Sequence, residues 1–322
     1  LSMHSFEELS AAFAARFDDR HFPQQPSSLY DPADYFLGIG GKRIRPVLCL
    51  MGNELFGTIE EDAWPMAIAL ELFHNFTLIH DDIMDKAPLR RGKPTVHAKY
   101  GVPTAILAGD VMMVGGYRYI GKIWSPHIRQ LLELYNQTAV HVCEGQQLDM
   151  DFESRERVSM DDYLRMIELK TSVLLAGSLQ IGALLGGAGL GNQQIIHRFG
   201  RNLGLAFQVQ DDYLDCYGGE KFGKQVGGDI LADKKTFLLI KTLEIASDAQ
   251  RREIGELKTA PPAEKVEGML RIFHACGVDV WVRELKEQYH AAACSDLEDI
   301  AVLSKRKEPL RNLVGYLLQR EY

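Results

Sequence analysis

The stretch ALELFHNFTLIHDDIMD, Ala69–Asp85, decides the fold class. Ala69, Leu72, Phe76, Ile79 and Ile83 recur at spacings of three and four, forming one apolar stripe of an amphipathic helix. The stretch ends in Asp81-Asp82-Ile83-Met84-Asp85, with carboxylates at i, i+1 and i+4. On a helix turning about 100° per residue these three fall within an arc of roughly 100°, which predicts that all point into one region. Aspartate is a poor interior helix residue, and like charges four apart repel. Three together, flanked by Leu78, Ile79, Ile83 and Met84, are locally unfavourable unless cations gather them.

The same spacing returns at Asp211-Asp212-Tyr213-Leu214-Asp215. Six carboxylates, with no histidine or cysteine inside either motif, favour a hard oxygen-seeking ion, hence Mg2+. His74 precedes Asp81 nearly in line, Thr77 lies between them, and Gln208 shares the arc of Asp211. Such a polar stripe on an apolar helix predicts a shared interior cavity. A solvated acidic face is the ordinary account of one such cluster; two with identical spacing, each after an apolar segment, argue against it. Asp161-Asp162 makes the contrast, since it follows Ser159 at a helix start where capping explains it.

Cations accompany the carboxylates. GGKRIRP (Gly40–Pro46) sets three within four residues, behind glycines that permit close backbone approach. Pro88 follows the first cluster, and Arg90-Arg91 come next in a short loop. Arginine offers a bidentate fork for phosphate oxygens, and lysine a mobile point charge. A surface charge patch is the usual reading of any one such pair. Proximity to the carboxylates favours an anion bridged by magnesium instead. Lys170-Thr171, Lys224 and Lys234 are weaker signals taken alone, because solvated lysines are the default.

The remaining chain is also helical in pattern. Apolar stripes run through 104–120, 128–150, 161–186, 193–217, 231–246 and 263–291, and alternating strand patterns are scarce. No long linker or low-complexity tract interrupts them, so a single all-α domain over 3–322 is expected, with Leu1-Ser2 read as an appended scar. Apolar residues at 46% and charged residues at 25% are ordinary for a globular protein with a sizeable core. A net charge of −8 without a basic block disfavours nucleic acid. The five scattered cysteines predict reduced thiols and a cytoplasmic location. No run of about 18 apolar residues suggests a membrane span.

Together these segments resemble the trans-isoprenyl diphosphate synthase family. The matching stretches are GGKRIRP, LIHDDIMDKAPLRRGKPTVH (Leu78–His97), EGQQLDM (Glu144–Met150), LKTSVL (Leu169–Leu174), FQVQDDYLDCYG (Phe207–Gly218) and GKQVGGDILADK (Gly223–Lys234). The resemblance implies a large helical bundle around a central cavity, the type I isoprenoid synthase fold, and a homodimer. It implies Mg2+, three ions, with Asp81, Asp85, Asp211 and Asp215 as ligands and Asp82 and Asp212 in support. Arg90, Lys170, Thr171, Gln208, Lys224 and Lys234 match positions that hold the allylic diphosphate. Gly41, Lys42, Arg45, His74 and Arg91 match the isopentenyl diphosphate site, and Gln146 and Asp149 line the cavity.

The implied reaction is head-to-tail condensation of isopentenyl diphosphate with an allylic diphosphate. In that family, side chains upstream of the first cluster act as a floor for the growing chain. Here these are Phe73, Phe76 and Thr77. A bulky Phe76 resembles short-chain enzymes, and its depth of about 7.5 Å below Asp81 favours a C20 product, with C15 next and longer chains after that. Phe76 also lies on the apolar stripe, so an ordinary core role stays open; Met112 and Met113 are alternative floor residues. A class I terpene cyclase is disfavoured by the second cluster and by GGKRIRP. A non-catalytic subunit is disfavoured because the expected ligating residues are all present.

Overall fold

The computed structural model describes residues 3–218 and 226–318. In chain order the elements are α1 (Phe6–Phe17), α2 (Ser27–Gly38), α3 (Ile44–Glu54), α4 (Ala63–Met84), β1 (Leu89–Arg90), β2 (Lys93–Pro94), α5 (Val96–Tyr100), α6 (Val102–Ile120) and α7 (Ile128–Ser154). There follow α8 (Met160–Ile167), a π-helical turn (Glu168–Ser172), α9 (Val173–Leu185), α10 (Leu190–Tyr217), α11 (Gly228–Leu231), α12 (Phe237–Ile245), α13 (Asp248–Leu257), α14 (Pro262–Ala275), α15 (Val278–Asp299) and α16 (Ser304–Leu318). The fold is all-α, as expected. Each stripe falls on helix, but three are subdivided. The π turn divides 161–186, Asp233 with φ 52° lies between α11 and α12, and Gly277 with φ 68° separates α14 from α15.

Two compact units divide the chain: Leu1–Asn136 with Gly177–Ile196 and Ala301–Pro309, and Gln137–Ala176 with His197–Ile300 and Leu310–Tyr322. In the first unit α4 is the long element, burying Met66, Leu70, Phe73 and Ile79. Each such side chain contributes about 1.5–3 kcal/mol when taken from water. α6 runs against α4, and His80 Nε2 donates to the Ile106 carbonyl at 2.9 Å.

α4 stops before Pro88. The Lys86 N–H donates to the Ile83 carbonyl at 3.2 Å and the Ala87 N–H to the Asp82 carbonyl at 3.0 Å, with Lys86 left-handed at φ 53°. This is a Schellman ending with lysine where glycine is usual. It holds the aspartates on the last helical turn. The short loop expected at Arg90-Arg91 is a hairpin: β1 pairs with β2 across Arg91 and Gly92, both at positive φ, as a tight two-residue turn requires.

The second unit is built around Tyr163, Met166, Val209, Phe237, Phe273 and Val282, all buried. Ser159 caps α8 as expected, its Oγ accepting from the Asp162 N–H at 3.0 Å. The stretch Met160–Leu185 is long and apolar enough to cross a membrane by length and composition, but 83% of its most apolar window is buried inside the protein. Its composition is explained by core packing. All five cysteines are free thiols, and burial pushes the Cys49 thiol up to about 12.

Candidate active site

In the first unit, the aspartates at the end of α4 divide their work. Asp82 is buried, Asp81 half-buried and Asp85 exposed. Arg90, delivered by the hairpin, grips Asp82 with Nε at 2.9 Å from Oδ2 and Nη2 at 2.8 Å from Oδ1. A bidentate, charge-assisted pair of this kind is among the stronger polar contacts a protein makes. The expectation that all three carboxylates point one way therefore needs correction. The arc is right for the backbone, but Asp82 turns toward the protein.

A cationic pocket lies beside this turn. Arg91, left-handed at φ 51°, lays its guanidinium over Gly41, where a Cβ would meet Nη1 at 2.9 Å and push the guanidinium aside. Arg45 Nε is buried without a hydrogen-bond partner among the described residues. Burial lowers the Arg45 guanidinium to about 10; Glu71 opposes this and Arg91 adds to it. His74 is held well below the usual imidazole range, first by burial and then by Arg45, Arg91, Arg90 and Arg43. Guanidiniums crowded around a neutral imidazole form a site suited to an anion.

Arg43, the middle cation of GGKRIRP, does a different job. Its Nη1 pairs with the buried Glu71, its Nη2 donates to the Leu37 carbonyl at 3.1 Å, and it lies 4.8 Å from the Phe17 ring centroid. Glu71 also accepts from Asn75 Nδ2 at 2.9 Å. Sequence reasoning missed Glu71, although it lies on the helical face of His74, three residues earlier.

The second unit repeats the division of work. Asp211 is exposed, Asp212 buried and Asp215 intermediate. Asp212 Oδ2 accepts from Tyr163 Oη at 2.9 Å and from the Phe237 N–H, the first of α12, at 3.1 Å. Burial raises the Asp212 carboxyl to about 7, against the pull of those two donors. Asp215 Oδ2 accepts from the Asp229 N–H at 2.9 Å, and Lys234 Nζ lies 3.3 Å from Asp229. Lys234 itself is raised: burial pulls it down, and Asp229, Asp212 and Asp149 together outweigh that. Asp229 lay in a quoted motif without being singled out, and Tyr163 carried no sequence signal.

Lys170 and Thr171 occupy the π turn, a geometry that often marks functional positions. Gly145 of α7 makes room for it, since a Cβ there would come within 2.2 Å of the Lys170 backbone nitrogen. Lys170 Nζ pairs with Asp149 at 2.5 Å, Gln146 is buried and Gln208 is half-buried. Lys42 is exposed. Lys224 lies outside the described residues. Among the described residues no group of three or more His, Cys, Asp or Glu side chains converges as a preformed metal cage.

The chain-length candidates lie lower on α4. Phe73 is buried between Phe76 (5.6 Å between ring centroids) and Tyr135 (5.7 Å). Phe76 is only half-buried, and its ring centroid lies 4.9 Å from that of His80 in a T-shaped arrangement. Thr77 spends its hydroxyl on the His74 carbonyl at 2.7 Å. Met112 is buried on α6 and Met113 is half-buried.

An all-helical chain with paired aspartate clusters and an arginine-lined anion pocket has the features of a phosphate-handling enzyme. The sequence model of the polyprenyl synthetase family matches residues 26–273. A geranylgeranyl diphosphate synthase of Methanosarcina mazei is 38% identical over 92% of this chain and 91% of its own length. A crystal structure of a geranylgeranyl pyrophosphate synthase superposes with a TM-score of 0.92 at 41% identity, covering 99% of this chain and 100% of that one. The geranylgeranyl pyrophosphate synthetase of Pyrococcus horikoshii Ot3 does so with a TM-score of 0.91 at 32% identity, covering 98% and 99%. The chain belongs to the polyprenyl synthetase family. It is by that membership a prenyltransferase, of a family that uses Mg2+ in catalysis.

Proposed function

We propose that this protein condenses isopentenyl diphosphate head to tail with an allylic diphosphate and stops at the C20 product, geranylgeranyl diphosphate. The observation that carries the reading is the shared division of labour in the two clusters. In each, the middle aspartate is buried and bound by protein donors, while the first and last lie on the more accessible side. That donor set, carboxylate oxygens only, fits a hard divalent ion, so Asp81, Asp85, Asp211 and Asp215 would hold magnesium, as three ions. When bound, magnesium acts as a Lewis acid on the diphosphate leaving group.

The chain's own residues do the rest. Lys170, Lys234 and Lys224 bind the allylic diphosphate, and so does Arg90 through Nη1, the nitrogen that Asp82 does not engage. Gly41, Lys42, Arg45, His74 and Arg91 bind the isopentenyl diphosphate, with Arg45 Nε as a donor still to be satisfied. Gln146 and Asp149 support Lys170. As the carbon–oxygen bond lengthens, these cations stabilise the departing anion. Thr171 and Gln208 turn oxygen dipoles toward the allylic cation, apolar walls exclude water, and the released diphosphate takes the proton lost after attack by the isopentenyl double bond.

The half-buried Phe76 favours an early floor, and C15 is the second reading because Phe73 and Phe76 together present two aromatic rings. Chromatography of products after incubation with isopentenyl diphosphate, each allylic starter and magnesium tests this. A C20 product is expected; a C15 or longer end product overturns the chain-length assignment. We further read the chain as one catalytic domain that acts as a homodimer. Ile106, Leu107, Val114 and Tyr117, spaced along one face of α6 and 42–53% exposed, support a protein partner there. Light scattering giving a monomer mass would remove that assignment.

A further inference from the structure

In the second unit, the π turn Glu168–Ser172 that carries Lys170 and Thr171 is closed by the Val173 N–H, which donates to the Glu168 carbonyl five residues back. Such turns are rare, and each holds one residue more than the α-helical turn it replaces. Relaxation to α geometry would swing Lys170 and Thr171 by up to about 100° around the helix axis, away from the diphosphate they serve. Neighbouring helices must therefore hold the extra residue in place.

α7 takes the middle of the turn. Gly145 lets the helix approach the Lys170 backbone, and Asp149, four residues on along the same face, pairs with Lys170 Nζ at 2.5 Å. α10 takes the two ends. Ser172 is fully buried against Gly204, where a Cβ would come within 2.9 Å of the Ser172 Cα. The Glu168 carboxylate accepts from Arg201 Nε at 2.7 Å and from Arg201 Nη2 at 3.3 Å, a bidentate grip. Polar neighbours of Arg201 on α10 turn elsewhere: Arg198 and Asn202 both reach Asp296 of α15, at 3.2 Å and 2.8 Å. Arg201, Gly204, Gln208 and Asp211 follow one another at spacings of three and four. One stripe of α10 thus holds the π turn at one end and supplies site residues at the other.

We propose that Arg201 is a positioning residue for the allylic diphosphate: through Glu168 it keeps the π turn in register, so that Lys170 and Thr171 face that substrate. The inference rests on the prenyl-transfer reading given above. Arg201 and Glu168 carry opposite charges, and that separates positioning from simple electrostatics. Loss of the Arg201 cation weakens the binding of an anion on either account. Loss of the Glu168 carboxylate strengthens it where charge alone matters, and weakens it where register matters.

The test measures steady-state kinetics of the full chain with magnesium, varying the allylic starter and isopentenyl diphosphate in turn. Glu168→Leu and Arg201→Leu are each expected to raise KM for the allylic starter about fivefold, or about 1 kcal/mol, the upper end for a partly exposed ion pair. KM for isopentenyl diphosphate should stay within about twofold of wild type. The double variant should be no worse than either single one, because both remove the same contact. Arg201→Lys, which keeps the charge and one hydrogen bond, should return KM to within about twofold of wild type. Titration calorimetry with magnesium and dimethylallyl S-thiolodiphosphate, which keeps the diphosphate but ionises poorly, should show the same order of Kd values. Should the leucine variants not fold, Glu168→Gln and Arg201→Gln give the same comparison, with the same signs expected. Tighter binding on loss of the Glu168 carboxylate, an equal rise in both KM values, additive losses in the double variant, or unchanged KM in both single variants would overturn the proposal. Failure of the wild type to condense the substrates would overturn the prenyl-transfer reading instead, whereas a condensing wild type with unaltered variants overturns the positioning role alone.

Discussion

Replacing Asp82 with Asn separates structural from metal-binding aspartates. Asp82 and Arg90 share three N···O contacts of 2.8–3.1 Å, with side chains 4% and 24% exposed. Removing one partner of a buried pair costs about 3–5 kcal/mol. Asparagine keeps the shape and one acceptor, and Arg90 can rehydrate in part, so about 2–3 kcal/mol is expected for Asp82→Asn. At about 2 °C per kcal/mol for a chain of this size, Tm should fall by about 4–6 °C. Asp81→Asn removes a carboxylate assigned to magnesium and relieves like-charge repulsion, so its Tm should fall by less than that of Asp82→Asn. Its turnover should fall at least about 100-fold, the scale expected when a group that stabilises transition-state charge is lost. Scanning calorimetry and initial rates on both variants decide the matter. An unchanged Tm in Asp82→Asn, or equal losses of Tm in both, would refute the division of labour.

Other expectations are simpler to check. Asp211→Ala should lower turnover by orders of magnitude while circular dichroism stays that of the wild type; near-normal turnover would remove its metal role. Phe76→Ala should lengthen the product, and an unchanged length by chromatography would move the floor to Phe73, Met112 or Met113. Gly145→Ala drives a methyl against the Lys170 backbone, and overpacking of this kind costs about 1–3 kcal/mol in a denaturant melt; a neutral result would mean the π turn yields easily. The folded His74 pKa lies below the unfolded value, so the unfolded state binds the extra proton as pH falls. The stability that the neutral His74 contributes is present above about pH 6.5 and is lost as pH drops below it. Tm should therefore fall more steeply below that pH in wild type than in His74→Gln, and parallel slopes would contradict the reading.

Helices were legible because α4 and its neighbours carry apolar residues at helical spacing, a pattern set by burial of one face. The π turn at Glu168–Ser172 was not, since α7 packing through Gly145 accompanies it and local periodicity carries no trace of that. In the site, residue chemistry and motif spacing brought out the aspartates, His74 and the arginines. The inward turn of Asp82 was hidden because its partner Arg90 arrives through a hairpin whose turn depends on left-handed Arg91. Tyr163 lies 49 residues from Asp212 and is joined to it only by tertiary packing. Glu71 could have been found, because it sits one helical turn before His74 on the same face.

The central claim is tested most directly by incorporation of radiolabelled isopentenyl diphosphate into an acid-labile, apolar product. With an allylic starter and magnesium, the account predicts label in a linear C20 diphosphate, and none when magnesium is chelated. No incorporation, or conversion of the allylic diphosphate to a hydrocarbon without uptake of label, would contradict it.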